Sequence, residues 1–240
     1  MPEPIIPWPA GLVALVPLYN HAPCVAAVIS GLKAHGAIVL CVDDGSTDDG
    51  GTLAAAAGAQ VRRWSDNRGK GAALRAGLSW AESLGFSQVL TCDADGQHPP
   101  DAAAQLARDA AADPHALHLG VRAMAGAPFA SRLGRFATNC ATWTVCGTWP
   151  GDNQTGLRVY PLPLAARLNV RAGRFAFEAE HLVAAMRAGV ALRRHPVPVR
   201  YPPDRVSHFR ALVDTARTTA AFARMGACRF WPRRGRAVLE

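Results

Sequence analysis

Two acidic turns in the first half of the chain carry residues that could do chemistry. Asp43 and Asp44 follow one short apolar run, and Asp93 and Asp95 follow another. Short apolar runs that end in turn residues are typical of buried strands in a parallel sheet. Open sheets of this kind bind ligands outside the carboxyl ends of their strands. We therefore expect four carboxylates at one edge of one sheet.

The second acidic turn, Asp93-Ala94-Asp95, has the spacing of a metal site. Alternate residues of an extended segment point to the same side, and two carboxylates aimed the same way repel unless a cation or a proton lies between them. A hard divalent ion, Mg²⁺ or Mn²⁺, held by these carboxylates and Gln97 could bridge a diphosphate. The alternative is an acidic turn that caps the helix beginning near Pro99.

Two further segments of the first half could contact a nucleotide. Asp44 could accept a hydrogen bond from a base N–H or a ribose hydroxyl, or it could belong to an ordinary Asx turn. The glycine-rich segment 67–71 opens a predicted helix, where backbone N–H groups favour an anion. Its alternative is a simple glycine turn.

The second half contains polar clusters that could bind or activate an acceptor. Asp152 could act as a general base and Arg158 could bind phosphate, or the two could pair with each other. The loop 201–210 carries Arg205 and Ser207, which could bind phosphate or form a solvated basic loop.

Alternating strand and helix patterns predict an α/β fold with a doubly wound parallel sheet. Strands are predicted over Leu12–Val16, Ala37–Val42, Gln60–Trp64, Ser87–Cys92, Ala116–Gly120, Thr155–Tyr160 and Val190–Arg200. Helices are predicted over Ala22–Ala34, Asp49–Ala57, Gly71–Ser83, 99–112, Arg132–Cys146, Phe177–Ala188 and Ala211–Phe230. Pro196 and Pro198 place the last strand at an edge of the sheet.

Length and charge restrict the class of protein. The chain has 240 residues, enough for one large domain, and a formal net charge of +8 that fits nucleic acid, an anionic membrane or a phosphate-bearing substrate. No RNA- or DNA-binding motif is visible. Six cysteines without a CxxC pair predict reduced thiols in a cytoplasmic protein. The basic, aromatic segment 211–240 could lie on a membrane surface or pack on the domain.

In this order, the motifs resemble those of the family 2 glycosyltransferases, within them the polyprenyl-phosphate (dolichol-phosphate) mannosyl- and glucosyltransferases. The similarity runs from about Leu12 to Arg210. The segments that carry it are 16–20, 42–48, 67–72, 93–100, 152–158 and 177–180.

The resemblance implies a single GT-A domain, with a nucleotide-sugar half over about 12–125 and an acceptor half over about 126–210. It implies Mg²⁺ or Mn²⁺ at Asp93, Asp95 and Gln97. Arg135 and Arg158 would face an acceptor phosphate, and Asp152 would be the base if the acceptor is an alcohol. Pro17 and Tyr19 would line the nucleoside pocket, and Arg205 and Ser207 would close over the donor. The predicted substrate-binding residues are Pro17, Tyr19, Asp43, Asp44, Lys70, Ala94, Arg122, Arg205 and Ser207.

The expected activity is inverting transfer of a hexose from a UDP- or GDP-sugar to a polyprenyl phosphate or another lipid-linked acceptor. Such an enzyme would work in the cytoplasm, with peripheral contact to the membrane and without nucleic acid. Two alternatives stay open. Asp93-x-Asp95-Gly96 is similar to the nucleophile loop of haloacid-dehalogenase phosphatases, and the basic composition allows a non-catalytic nucleic-acid- or nucleotide-binding protein.

Overall fold

Seven strands form one sheet in the part of the chain that the computed structural model describes, namely residues 7–123, 129–168, 170, 173, 176–200, 221–223, 225 and 226. The strands are β1 (Leu12–Leu18), β2 (Val39–Asp43), β3 (Gln60–Arg63), β4 (Gln88–Thr91), β5 (Leu117–Arg122), β6 (Arg158–Pro161) and β7 (Leu192–Val197). The helices are α1 (Ala22–Ala34), α2 (Gly50–Ala56), α3 (Lys70–Ser83), α4 (Pro100–Ala111), α5 (Phe129–Cys146), α6 (Leu164–Arg167) and α7 (Ala176–Arg187).

The sheet is mostly parallel, and its strand order is β3-β2-β1-β4-β6-β5-β7. Strand β6 is antiparallel to both β4 and β5, whereas the other neighbouring strands are parallel. The α/β fold class is therefore confirmed, but the sheet is not parallel throughout. Because β1, β2 and β4 are parallel neighbours, the turns that follow them lie together along the carboxyl ends of the strands, here called the carboxyl edge of the sheet.

Helices cover both faces of the sheet because its central strands are apolar on both sides. All seven residues of β1 are buried. Leu12, Ala14 and Val16 pack with α1 and α4 on one face, whereas Val13 and Leu15 pack with α3 and α7 on the other. This packing on both faces fixes the position of the carboxyl ends of the strands relative to the helices that begin there.

Most predicted elements agree with the structure, and the differences concentrate in the second half. The bounds of α1 match the prediction, and β7 with Pro196 lies at the edge of the sheet as expected. Helix α6 was not predicted. Of the helix predicted over 211–230, only residues 221–223, 225 and 226 are described, and they are helical. Among the described residues, no helix combines the length and apolarity needed to cross a membrane.

A buried histidine lies inside the core between α7 and the sheet. The His181 ring is 1% exposed, its Nε2–H donates to the carbonyl oxygen of Ala165 at 2.9 Å, and it packs edge-on against Tyr160 at 4.8 Å. Burial lowers the pKa of His181 to about 4. The folded protein therefore holds this ring in its neutral form.

We expect this histidine to make stability fall in mild acid. The folded pKa lies below the unfolded value of about 6.5, so its contribution is fully present above pH 6.5 and is lost as the pH falls towards 4. His181 should remove about 1.4 kcal/mol of unfolding free energy per pH unit in that window. In His181→Gln, which can still donate to Ala165 but cannot titrate, urea unfolding at pH 7 and pH 5 should show a shallower decline. The same change at exposed His115 should leave the decline as it is, and an equal decline in all three proteins would contradict the prediction.

Candidate active site at the carboxyl edge of the sheet

The turn after β4 holds two carboxylates in one small space. Asp95 Oδ1 accepts a hydrogen bond from the backbone N–H of Gln97 at 3.0 Å, and Oδ2 accepts from the Gln97 side-chain amide. Burial, and next the negative charge of Asp93, raise the pKa of Asp95. No group of three or more His, Cys, Asp or Glu side chains suited to a metal occurs among the described residues. Asp93 and Asp95 thus supply hard oxygen donors that need further ligands from a substrate or from water.

Lys70 joins this turn to two helices. It is the first residue of α3, and its Nζ lies 2.7 Å from Asp93 Oδ1 and 3.1 Å from Glu178 Oε1 on α7. Burial raises the pKa of Glu178, and Lys70 opposes this effect. Burial also works against ionised Asp93, yet Lys70 holds the pKa of Asp93 below its usual value. Glu178 therefore belongs to the candidate site, although in the sequence it was only part of the segment 177–180 and had no assigned role.

The loop 152–157 closes against the carboxylates from the other side. A Cβ atom at Gly156 would overlap the Asp93 carboxylate, so only glycine fits there without displacing it. The carbonyl oxygen of Gly156 accepts a hydrogen bond from Thr91 on β4 at 2.8 Å. These contacts hold the loop against the turn that carries Asp93 and Asp95.

His98 lies beside the same turn and was not singled out in the sequence. Its side chain is 4% exposed, and burial lowers its pKa to about 4, although the charge of Asp93 favours the protonated ring. A ring with this pKa is a weak base at neutral pH.

Asp43 and Asp44, at the end of β2, are both buried. Asp44 accepts hydrogen bonds from the backbone N–H groups of Arg68 at 2.6 Å and Gly69 at 2.8 Å. Asp43 accepts one from the backbone of Ser46 at 2.9 Å. In this structure the two carboxylates hold the turns around them. Contact of Asp44 with a nucleobase stays a prediction.

The turn after β1 is tied to the turn after β2. Asn20 has a positive φ of 53°, which asparagine tolerates better than most residues. Its side-chain oxygen accepts from the Thr47 backbone at 2.8 Å, and its own backbone N–H donates to Ser46 Oγ at 3.0 Å. Pro17 is buried in β1, and Tyr19 is half-buried beside this junction. The predicted nucleoside pocket therefore has a fixed backbone.

A second cluster of charges surrounds Asp152. Its carboxylate accepts from Arg122 Nε at 2.7 Å, Arg122 Nη2 at 3.0 Å, Arg135 Nη1 at 3.1 Å and the Gln154 backbone at 3.1 Å. Burial favours the neutral acid, but hydrogen bonding and the charge of Arg122 outweigh it and lower the pKa of Asp152. A carboxylate held by two guanidinium groups is a poor proton acceptor, which is evidence against the base role predicted for Asp152.

The structure gives Arg158 a set of buried backbone contacts. Its side chain is fully buried, and its three nitrogens donate to the carbonyl oxygens of Thr155, Glu178 and Asn153 at 2.8 Å each. Arg158 makes no ion pair with Asp152, and its side chain does not reach the surface. Arg158 ties the loop 152–157 to α7, and its predicted contact with an acceptor phosphate stays a prediction.

Three other predicted residues complete the comparison. Ala94 is buried between the two aspartates. Arg205 and Ser207 lie outside the described residues.

Several known proteins are similar to this chain in sequence or in fold. Residues 13–143, more than half of the chain, match the family model "Glycosyl transferase family 2". An uncharacterised protein of Methanocaldococcus jannaschii is 28% identical over 79% of this chain and 82% of its own length. The UDP-N-acetylglucosamine–dolichyl-phosphate N-acetylglucosaminyltransferase of Methanococcus voltae is 24% identical over 78% of this chain and 84% of its own length.

A solved structure with a similar fold is glucosyl-3-phosphoglycerate synthase from Mycobacterium tuberculosis, in complex with Mn²⁺, UDP-glucose and phosphoglyceric acid. The TM-score is 0.70 at 18% identity, covering 93% of this chain and 81% of that one. This likeness confirms the expected GT-A fold.

The contacts of Lys70 predict that its charge is required for stability. In Lys70→Met, two buried carboxylates lose their shared cation, and the unfolding free energy should fall by about 3–5 kcal/mol. Adding Glu178→Gln should recover part of that loss, since one uncompensated charge is then removed. Urea unfolding at pH 7 measures both effects.

The other lysine of the chain offers a matched control. Lys33 is exposed on α1, so Lys33→Met should change the unfolding free energy by no more than about 0.5 kcal/mol. Equal unfolding midpoints for the Lys70→Met and Lys33→Met proteins would show that the ion pairs of Lys70 do not stabilise the fold.

Proposed function

The chain belongs to glycosyl transferase family 2, and on that premise we propose that it transfers a hexose, with inversion, from a nucleoside diphosphate sugar to a polyprenyl phosphate. The observation that carries the proposal is the opposite charge balance of two neighbouring clusters. Around Lys70, carboxylates exceed the paired cation. Around Asp152, two guanidinium groups surround one carboxylate.

The carboxylate-rich cluster fits a metal-bound donor. Asp95 makes no ion pair among the described residues. Burial and the negative charge of Asp93 both disfavour its ionised form, so a bound cation would stabilise it. Asp93 and Asp95 would hold Mg²⁺ or Mn²⁺, because hard oxygen donors suit both ions. When bound, such an ion stabilises the negative charge that develops on a departing nucleoside diphosphate. Gln97 would keep Asp95 in position through its two hydrogen bonds.

The arginine-rich cluster fits an acceptor that is already anionic. Arg135 is 2% exposed, and its Nε and Nη2 have no hydrogen-bond partner in the described part of the chain. Unpaired buried donors are unfavourable, and a phosphate oxygen would satisfy them. An alcohol would need a base, whereas Asp152 is held as an anion between Arg122 and Arg135. A phosphate acceptor needs no deprotonation, so the described charges support it over an alcohol.

The name of one relative supports this choice of acceptor and donor. The similar enzyme of Methanococcus voltae is named for transfer from a UDP-sugar to dolichyl phosphate. We extend that class of donor and acceptor to this chain. Such a lipid acceptor would be reached from the membrane surface. Family membership favours glycosyl transfer over the phosphatase alternative.

Donor binding should depend on the charge of Asp95. With Mn²⁺ present, one of UDP, GDP or their hexose derivatives should raise the thermal stability, by roughly 2.7 kcal/mol at about 100 times its dissociation constant. Asp95→Asn keeps an oxygen for the Gln97 backbone but removes the charge, and it should abolish the metal-dependent part of the shift.

The same change at Asp101, an exposed carboxylate on α4, should leave the shift intact. A full shift in the Asp95→Asn protein, or none with any nucleotide in the wild type, would rule out the proposed donor site.

The acceptor class can be tested through Asp152. With polyprenyl phosphate as acceptor, Asp152→Asn should lower kcat by less than about 10-fold, because no proton has to be removed from the acceptor. Loss of a general base typically lowers the rate by about 10²–10⁴. Donor affinity, measured in parallel, reports whether the variant is folded.

The acceptor panel should contain polyprenyl phosphate, the matching polyprenol without phosphate, and 3-phosphoglycerate. We expect product from polyprenyl phosphate alone. Transfer to the polyprenol or to 3-phosphoglycerate, together with a loss of 10²-fold or more in the Asp152→Asn protein, would assign an alcohol acceptor and restore the base role.

A further inference from the structure

Three polar residues of helix α5 face inwards. Arg135, Asn139 and Thr142 follow one another at helical spacing, and all three are buried. Besides the contact of Arg135 with Asp152, Asn139 Nδ2 donates to the Gly151 carbonyl oxygen at 2.7 Å. These hydrogen bonds fix the orientation of the helix, because a rotation would leave buried polar groups unpaired.

The outer face of α5 is apolar instead. Leu133 and Phe136 are each 57% exposed and Trp143 is 54% exposed, at spacings that place them on one side of the helix. Trp149, just after the helix, is 39% exposed and lies 6.0 Å from the Phe136 ring. We call these four residues the α5 apolar face. Exposed large apolar side chains grouped on one side of a helix mark an interaction site.

The fold already uses the remaining side of α5. Val145 packs against Ala179 and Val183 of α7 and against Phe222. The side of α5 that faces the fold therefore makes two kinds of contact: polar ones to the loop 151–153 and this apolar one to α7 and Phe222. In the described part of the chain, the α5 apolar face is left to solvent.

Positive charge borders the α5 apolar face. Arg132 is exposed at its start, and exposed Arg194 donates from Nη1 to the carbonyl oxygen of Trp149 at 2.6 Å. The whole chain carries a net charge of +8. A helix with aromatic and leucine side chains on one side and arginines at its border is typical of attachment to the interface of an anionic bilayer.

The position of the face relative to the candidate site connects it to catalysis. Arg135 lies between Leu133 and Phe136 in the sequence, and it points inwards to Asp152. Seating the apolar face in a membrane would therefore place the arginine cluster on the inward side of α5, within one helix diameter (about 10 Å) of the inserted rings. This geometric relation rests on the proposed function, but attachment to the membrane itself does not.

We propose that the α5 apolar face is the surface by which this protein docks on an anionic lipid bilayer, with Phe136 and Trp143 inserted at the interface. Charge complementarity favours this occupant over a second copy of the chain, because a copy would bring the same arginines against one another.

The test compares two double variants of the full-length chain on vesicles. Phe136→Ser with Trp143→Ser removes the two inserted rings, and both positions are exposed, so folding should survive. Ile38→Ser with Leu84→Ser makes comparable changes at other exposed apolar side chains, 47% and 49% exposed. Co-sedimentation with phosphatidylcholine vesicles, with and without phosphatidylglycerol, gives the bound fraction, and thermal melting and light scattering give stability and mass.

We expect the wild type to bind the vesicles that contain phosphatidylglycerol more strongly, and salt to weaken that binding. The variant of the α5 apolar face should bind at least about 10-fold more weakly, since two aromatic rings no longer leave water. The control variant should bind like the wild type. Brominated lipid should quench the tryptophan fluorescence of the wild type, and this quenching should be weaker in the Phe136→Ser/Trp143→Ser protein.

Three results would overturn the proposal. One is equal vesicle binding by the two double variants. Another is a wild-type dimer that only the variant of the α5 apolar face dissociates, which would assign the face to a second copy. The third is a large loss of thermal stability in that variant without a change in vesicle binding, which would assign the face to another segment of this chain.

Enzyme assays separate this proposal from the proposed function. With a short-chain, water-soluble polyprenyl phosphate, the variant of the α5 apolar face should keep wild-type turnover, whereas with the acceptor embedded in vesicles its turnover should fall with binding. Absence of transfer in every protein, combined with vesicle binding lost only in that variant, would reject the proposed acceptor and retain the docking surface.

Discussion

The ammonium group of Lys70 is the interaction on which the candidate site depends. It lies between Asp93 after β4 and Glu178 on α7, so one cation joins three distant parts of the chain. Buried carboxylates are unfavourable without such a partner. The position of Lys70 is itself fixed by Asp44, which accepts a hydrogen bond from the backbone of Gly69 immediately before it. The end of β2 therefore controls the charge balance at the end of β4.

The first half of the fold could be predicted from the sequence because its signals are local. Apolar runs ending in acidic or glycine turns gave strands within a few residues of those observed, and the bounds of α1 were predicted fully. The second half could not be predicted to the same extent. Strand β6 has four residues and inserts antiparallel between β4 and β5, and nothing in a short run such as Arg158–Pro161 encodes its direction. Prolines made β7 the exception, since Pro196 excludes a central position.

The sequence predicted which side chains meet at the edge of the sheet but not how they pair. Acidic residues after strands indicated Asp93 and Asp95 directly. The partners of Asp152 are Arg122 and Arg135, which lie 30 and 17 residues away, and no local pattern connects them. Glu178, within the segment 177–180, was given no role because an acid in the first turn of a helix already has an explanation in the helix dipole. Pairing is decided by tertiary packing, which brings such groups together irrespective of their sequence neighbours.

The loop 152–157 explains how two clusters of opposite charge balance can lie close without neutralising each other. Asp152 at its start is bound to the arginines, and Gly156, four residues later, packs against the Asp93 carboxylate. Arg158 is buried beneath the loop and binds the carbonyl oxygens of Thr155 and Asn153. Its charge thus stabilises the loop, and it also favours the ionised form of Glu178 in the cluster around Lys70. A loop anchored at both ends in this way would fix the distance between the proposed donor at the carboxylates and the proposed acceptor at the arginines, which in-line displacement requires. Arg158, which the resemblance assigned to the acceptor phosphate together with Arg135, would then serve the proposed reaction by holding the two substrate sites at that distance.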